Sequence, residues 1–162
     1  MRRRAALRTP LLAGTLALLL AGPLAAQGTM SFGGDGQDTA QPVEVTADNL
    51  SVQNDGARAI MTGSVVIAQG EMRLAADRVE VDYAEGRISK MVATGDVTLV
   101  QGPDAAEARS ADYDVERGTV ILEGDVLMTQ GPSSVLADRA TIDLATGDAV
   151  MEGRVRSVLQ SQ

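Results

Sequence analysis

The stretch ADRVEVDYAEGRISKMVATGDVTLVQG, residues 76–102, decides the fold. Val79, Val81 and Tyr83 alternate with Glu80 and Asp82, the pattern of a strand with one dry and one wet face. Glu85-Gly86 follows, a pair that tolerates the positive φ of a tight hairpin turn. The return strand runs through Met91-Val92 to the triplet Gly95-Asp96-Val97 and closes on Gln101-Gly102. Its adjacent apolar residues predict either two partly covered faces or a bulge at the glycine that resets the register.

The same unit is written four times. Ala-Asp opens it at Ala47-Asp48, Ala76-Asp77, Ala111-Asp112 and Ala137-Asp138, and turn glycines follow at Gly56, Gly86, Gly118 and Gly147. Gly-x-Val recurs at Gly63-Ser64-Val65, Gly95-Asp96-Val97, Gly124-Asp125-Val126 and Gly153-Arg154-Val155. In three copies a Gln-Gly stands six residues past that glycine (69 − 63, 101 − 95, 130 − 124). A unit this small cannot bury its own apolar face, so the repeats must stack as antiparallel β-hairpins. No apolar stripe of helical period follows residue 42, and the leucine-rich frame is missing.

The copies also differ in length. From aspartate to glycine they span 15, 18, 12 and 15 residues (63 − 48, 95 − 77, 124 − 112, 153 − 138). The short third copy places Tyr113 and Val115 one position early, and a one-residue shift turns side chains to the other face. An irregularity is therefore expected between Asp112 and Gly118. The first strand is expected over residues 43–52 and the last over 149–158.

Residues 1–26 read as a cleaved secretory signal peptide: Arg2, Arg3, Arg4 and Arg8, then the apolar Leu11 to Ala21, then small residues to Ala26. A membrane span needs about 20 apolar residues, and this run is shorter and broken by Gly14, Gly22 and Pro23. Export to a bacterial periplasm follows. Residues 27–41 are Gly-, Ser-, Asp- and Gln-rich and are expected to be a disordered lead-in, with one β domain over 42–160. The leader holds four of the 14 basic residues and none of the 22 acidic ones, so the remainder carries about −12. Such a charge disfavours nucleic acid or an anionic membrane as a direct partner.

Catalysis finds few tools here. No His or Cys is present, which removes imidazole acid–base chemistry, thiol nucleophiles and most transition-metal sites, and no cofactor or metal is expected. Asp48, Asp77, Asp112 and Asp138 recur once per copy, as strand-end residues do, and not as the clustered oxygens of a Ca²⁺ site or a glycosidase pair. Aromatic residues are scarce as well: no Trp, only Tyr83 and Tyr113, and one Phe, Phe32, in the lead-in. The interior must be aliphatic, and Met61, Met91, Met128 and Met151 suit it to flexible hydrocarbon.

The frame Ala-Asp, turn glycine, Gly-x-Val, Gln-Gly behind a signal peptide resembles the LptA/OstA-like family of periplasmic lipopolysaccharide transport proteins. Residues 76–83 and 92–97 are especially similar to that family's repeats. The resemblance covers residues 42–158. It implies a V-shaped antiparallel β-jellyroll, open at both ends, whose apolar interior shields lipid A acyl chains. It implies no enzyme, but a bridge between an LptC-like inner-membrane protein and an LptD-like outer-membrane protein. An anchored LptC-like component is the alternative within the family; the chain's end at Gln162 disfavours an LptD-like protein. A self-assembling secreted structural β-repeat protein is the alternative outside it.

The expected lipid-facing residues are Leu50, Val52, Met61, Val65, Val79, Val81, Tyr83, Val97, Leu99, Leu122, Val126, Ile142 and Leu144. Sheet edges recruit further strands. Val43, Glu44 and Val45 on the first strand and Arg154, Val155 and Arg156 on the last, opposite in charge, are therefore expected to join copies head to tail.

Overall fold

Every pairing between long strands of the protein shifts register where the repeat writes its Gly-x pair. The computed structural model describes residues 28–33 and 41–159; the expected leader lies outside them, as do residues 34–40. Six long strands form a meander: β4 (Arg58–Gln69), β5 (Met72–Ala84), β6 (Arg87–Gln101), β7 (Asp104–Asp114), β8 (Thr119–Gln130) and β9 (Ser133–Asp143). Five short ones flank it: β1 (Gly28–Ser31), β2 (Glu44–Thr46), β3 (Asn49–Gln53), β10 (Asp148–Glu152) and β11 (Arg156–Val158). All pairings are antiparallel, in the order β1-β10-β9-β8-β7-β6-β5-β4-β2, with β3 also on β4 and β11 also on β9.

The register shifts divide the sheet into two halves. On β4 the pair Gly63-Ser64 stands opposite Asp77 alone, on β6 Gly95-Asp96 opposite Arg109, and on β8 Gly124-Asp125 opposite Asp138. Two residues facing one is a β-bulge, which bends the strand that carries it. One half then holds β3, the β10–β1 pair and the segments between; the other holds β2, β11 and the rest. Both halves bury the same face: Val79, Val81 and Leu122 of one, Val65, Leu99 and Val126 of the other, join one core cluster at 0% exposure. A sheet can bury one face this completely only if its halves fold onto each other. The protein is an antiparallel β-jellyroll creased along its bulges.

The crease explains why glycine recurs there. Gly63, Gly95, Gly124 and Gly153 have φ of 81°, 82°, 83° and 74°, and the next residue is left-handed too (Ser64, Asp96, Asp125, Arg154). A side chain at Gly63 or Gly153 would lie 2.5 Å from the carboxylate of Asp48 or Asp138, and one at Gly95 closer still to Asp77. The Ala-Asp of the repeat is thus the neighbour that closes on the bulge.

At Gly124 the neighbour is Arg109, not Asp112. The third copy is therefore framed Ala108-Arg109-Ser110-Ala111, parallel to Ala76-Asp77-Arg78-Val79 and Ala137-Asp138-Arg139-Ala140. Counted from Arg109, its spacing to the glycine is 15 residues (124 − 109), as in the first and fourth copies. The irregularity expected between Asp112 and Gly118 does not occur: β7 pairs regularly from Ser110 to Asp114, and the shift lies between Glu107 and Ser110.

Three further expectations are corrected. The first strand breaks into β2 and β3 where Asp48 N–H donates to Gly63 O. The last breaks into β10 and β11 where Asp138 N–H donates to Gly153 O. At both ends the break marks the crossing of the crease. The lead-in is not structureless throughout, since β1 pairs with β10 and Phe32 is 1% exposed. A single Phe in a polar, glycine-rich stretch is enough to anchor it once an apolar interior is within reach.

Candidate functional site

The interior between the two halves is the candidate site. Met61, Val65, Val79, Val81, Val97, Leu99, Leu122, Val126, Ile142 and Leu144 all belong to its buried cluster, and Tyr83 packs half-buried against it. Leu50 and Val52 pair with Met61 and Ala59, so they share the inner face. They are nevertheless 64% and 61% exposed, because β3 is the outermost strand of its half and nothing among the described residues covers them. The inner face thus continues past the core and ends in uncovered aliphatic side chains. The adjacent apolar residues of the return strands fall one on each face: Met61, Met91, Leu122 and Met151 inward, Ile60, Val92, Ile121 and Val150 half-covered outward.

The halves pack tightly. Apart from Tyr83 and Gln130 near the strand ends, inward side chains of the long strands lie at 0–9% exposure, so the middle of this interior is closed. Two of the depressions elsewhere follow the crease. One of about 420 Å³ is lined by Asp96, Thr98, Glu107, Arg109 and Asp125, and is too charged to hold hydrocarbon. The ion pairs Arg109–Asp125 and Arg154–Asp138 lie on the same line, and Arg154 holds the Asp138 carboxyl below the usual range by hydrogen bonding to it.

Opposite the crease, the hairpin turns of the two halves form a mouth. Gly70, Gly102 and Gly131 begin two-residue turns with φ of 56°, 57° and 53°, two of them followed by Pro103 and Pro132, in the manner of type II′ turns. The repeat's glutamines therefore sit on the last inward positions. Gln69, Gln101 and Asp104 are buried at 1–2% exposure. Tyr113 reaches across the interior and donates its hydroxyl to Gln69 Oε1 at 2.5 Å, and burial pushes its phenol up to about 12. Gln69 Nε2 donates to Gln41 O (2.9 Å) and Gln130 Nε2 to Asp104 Oδ2 (3.1 Å). This polar rim was not foreseen from the sequence, although Gln-Gly stood out as a repeat; counting by twos inward from Ile67 would have turned Gln69 to the inner face.

The expected assembly residues separate. Glu44 and Val45 lie on β2, with Val43 just before it, and Arg156 lies on β11. Arg154 is engaged at the crease with Asp138, and Val155 falls between strands and packs on the core, so neither forms part of an edge. Among the described residues no group of His, Cys, Asp or Glu could hold a metal ion.

Residues 44–156 match the family described as LptA/(LptD N-terminal domain) LPS transport protein. The chain belongs to that family. It is 30% identical over 116 residues to the lipopolysaccharide export system protein LptA of Escherichia coli K12, covering 67% of this chain and 62% of that protein. It is 34% identical over 83 residues to the LPS-assembly protein LptD of Vibrio cholerae, covering 51% of this chain and 10% of LptD. The fold matches the crystal structure of LptH, the LptA-homologous periplasmic component of the lipopolysaccharide transport device of Pseudomonas aeruginosa. The TM-score is 0.70 at 20% identity, over 77% of this chain and 99% of that one. The chain thus spans about three fifths of the LptA sequences it matches.

Proposed function

We propose that the protein carries lipopolysaccharide across the periplasm, shielding lipid A acyl chains between its two half-sheets, as a non-catalytic bridge between an LptC-like and an LptD-like partner. The observation that supports this best is an aliphatic inner face that runs from the core to the uncovered Leu50 and Val52 at its edge. Each methylene kept from water is worth about 0.8 kcal/mol, so one chain of roughly ten methylenes gains on the order of 8 kcal/mol from such a cover. An acidic outer surface keeps the phosphorylated sugars in solvent. The family membership and the relatives' names point the same way, and cleavage of the leader near Ala26 would release the domain to the periplasm.

Copies would join head to tail through the edges of one half-sheet, β2 of one and β11 of the next, where Glu44 meets Arg156. These edges differ, so the contact is heterologous and need not close.

The closed interior favours a second reading, a structural β-repeat protein that binds no lipid. Photo-crosslinkers in the mature protein decide between them. At Val81 or Leu122 they should capture lipopolysaccharide, and at outward Glu80 they should not. No capture anywhere would leave the structural reading standing.

A further inference from the structure

The chain's own N-terminal segment spans the mouth. Phe32 N–H donates to Gly147 O, on the rim of the half that carries β10, at 2.5 Å. The next residue, Gly33, donates its N–H to Asp104 Oδ2, on the rim of the other half, at 2.7 Å. Consecutive residues thus tie the two rims together. Between these ties the Phe32 side chain, 1% exposed, lies in the core cluster. Behind it β1 runs four residues along β10, from Gly28 opposite Met151 to Ser31 opposite Asp148.

We propose that Gly28–Gly33 is a self-inhibiting strap, and that the seat of Phe32 is the subsite where a lipid acyl chain enters. The inference rests on the shielding function above. Three observations carry it. Phe32 is an apolar group just past a separate short strand, placed among inward side chains of the long strands that otherwise cover one another. Its attachment is slight: four residues of edge ladder and two rim hydrogen bonds, far less than the long strands share. The rim beneath it is polar and imperfectly matched, with Gln101 Oε1 and Asp104 Oδ1 lacking partners among the described residues. Exchange of one apolar occupant for another keeps the interior dry at every stage. While the strap is seated, only the fraction of molecules with an open mouth can bind, which lowers the apparent affinity by that fraction.

Gly33 makes the strap testable. Its φ is +77°, and a side chain there would fall 2.6 Å and 2.7 Å from Nε2 and Cγ of the buried Gln101, so Gly33→Val should unseat the segment. Phe32→Ala should do so by removing the plug. The chain has no cysteine, so the register partners Ser31 and Asp148 can be replaced together (S31C/D148C) to lock the strap by oxidation. Binding of cis-parinaric acid, a fluorescent fatty acid, and its displacement by purified lipopolysaccharide are measured on the mature chain. Phe32→Ala and Gly33→Val should bind at least tenfold more tightly than wild type. The oxidised lock should bind at least fivefold more weakly than the same protein after reduction, a comparison that does not depend on either point variant folding. Lipopolysaccharide should displace the acid from every form that binds it; binding without displacement would overturn the subsite. Equal binding by the locked and reduced forms would overturn the strap and leave the shielding function intact. Binding by no form, wild type or variant, would overturn both.

Discussion

Tyr113 is the one aromatic ring of the repeats that is fully buried, and its hydroxyl spans the interior to Gln69. Removing it leaves Gln69 Oε1 without this donor, so Tyr113→Phe should lower stability by about 1–2 kcal/mol in urea unfolding. The phenol also sets a pH dependence. Its folded value lies near 12 and its unfolded value near 10, so its share of stability is fully present below pH 10 and is lost as pH rises toward 12. Wild-type melting temperature should fall over that interval more steeply than that of Tyr113→Phe. Glycines offer a second comparison at this scale. Gly86 and Gly95 both have positive φ, yet a side chain at Gly86 meets open space while one at Gly95 meets Asp77. Gly86→Ala should cost about 1 kcal/mol from backbone strain alone. Gly95→Ala should cost clearly more, and equal losses in chemical denaturation would show that the crease tolerates a side chain.

Among elements, the strands and their inner faces were legible because alternation is a local signal that burial alone fixes. Val79 and Val81, or Ile142 and Leu144, could be assigned to the core without any knowledge of the partner strand. The crease was legible only in part. Its glycines stood out, but the third copy was framed on Ala111-Asp112, because the residue that closes on Gly124 is Arg109 and carries the opposite charge. The signal that survives the change is the apolar-x-x-apolar step, Ala108 to Ala111, where a strand switches phase. The charge is compensated locally: Arg109 pairs with Asp125, just as Asp138 pairs with Arg154 in the opposite sense. Arg109→Asp should therefore destabilise, and the double exchange R109D/D125R should recover most of the loss. Both groups are well exposed, so the coupling measured by the four-protein cycle should stay below about 1 kcal/mol. What no local pattern could show was β1, since its place on β10 depends on a partner more than a hundred residues away.

For the whole molecule, the two half-sheets end differently. In one half β1 occupies the outer edge of β10, and in the other β11 is the last strand on its side, opposite β2. Assembly through β2 and β11 should then respond to charge at Glu44 and Arg156. Glu44→Arg should reduce the concentration-dependent mass seen by light scattering, and Glu44→Arg combined with Arg156→Glu should restore it. An unchanged mass in the single variant would place the joint elsewhere. Backbone pairing supplies most of such a contact, so the shift should be a few-fold in dissociation constant at most.

The crease has one more consequence. Because the long strands all cross one line of bulges, written as a Gly-x step on β4, β6 and β8, the cross-section of the trough is set within each strand, whereas its length is set by how many strands there are. Length is therefore a free variable of this architecture. Duplicating one hairpin, such as β6–β7, would lengthen the trough by two strand spacings, about 10 Å, without asking any residue to learn a new environment. A chain built this way can be tailored in length by counting.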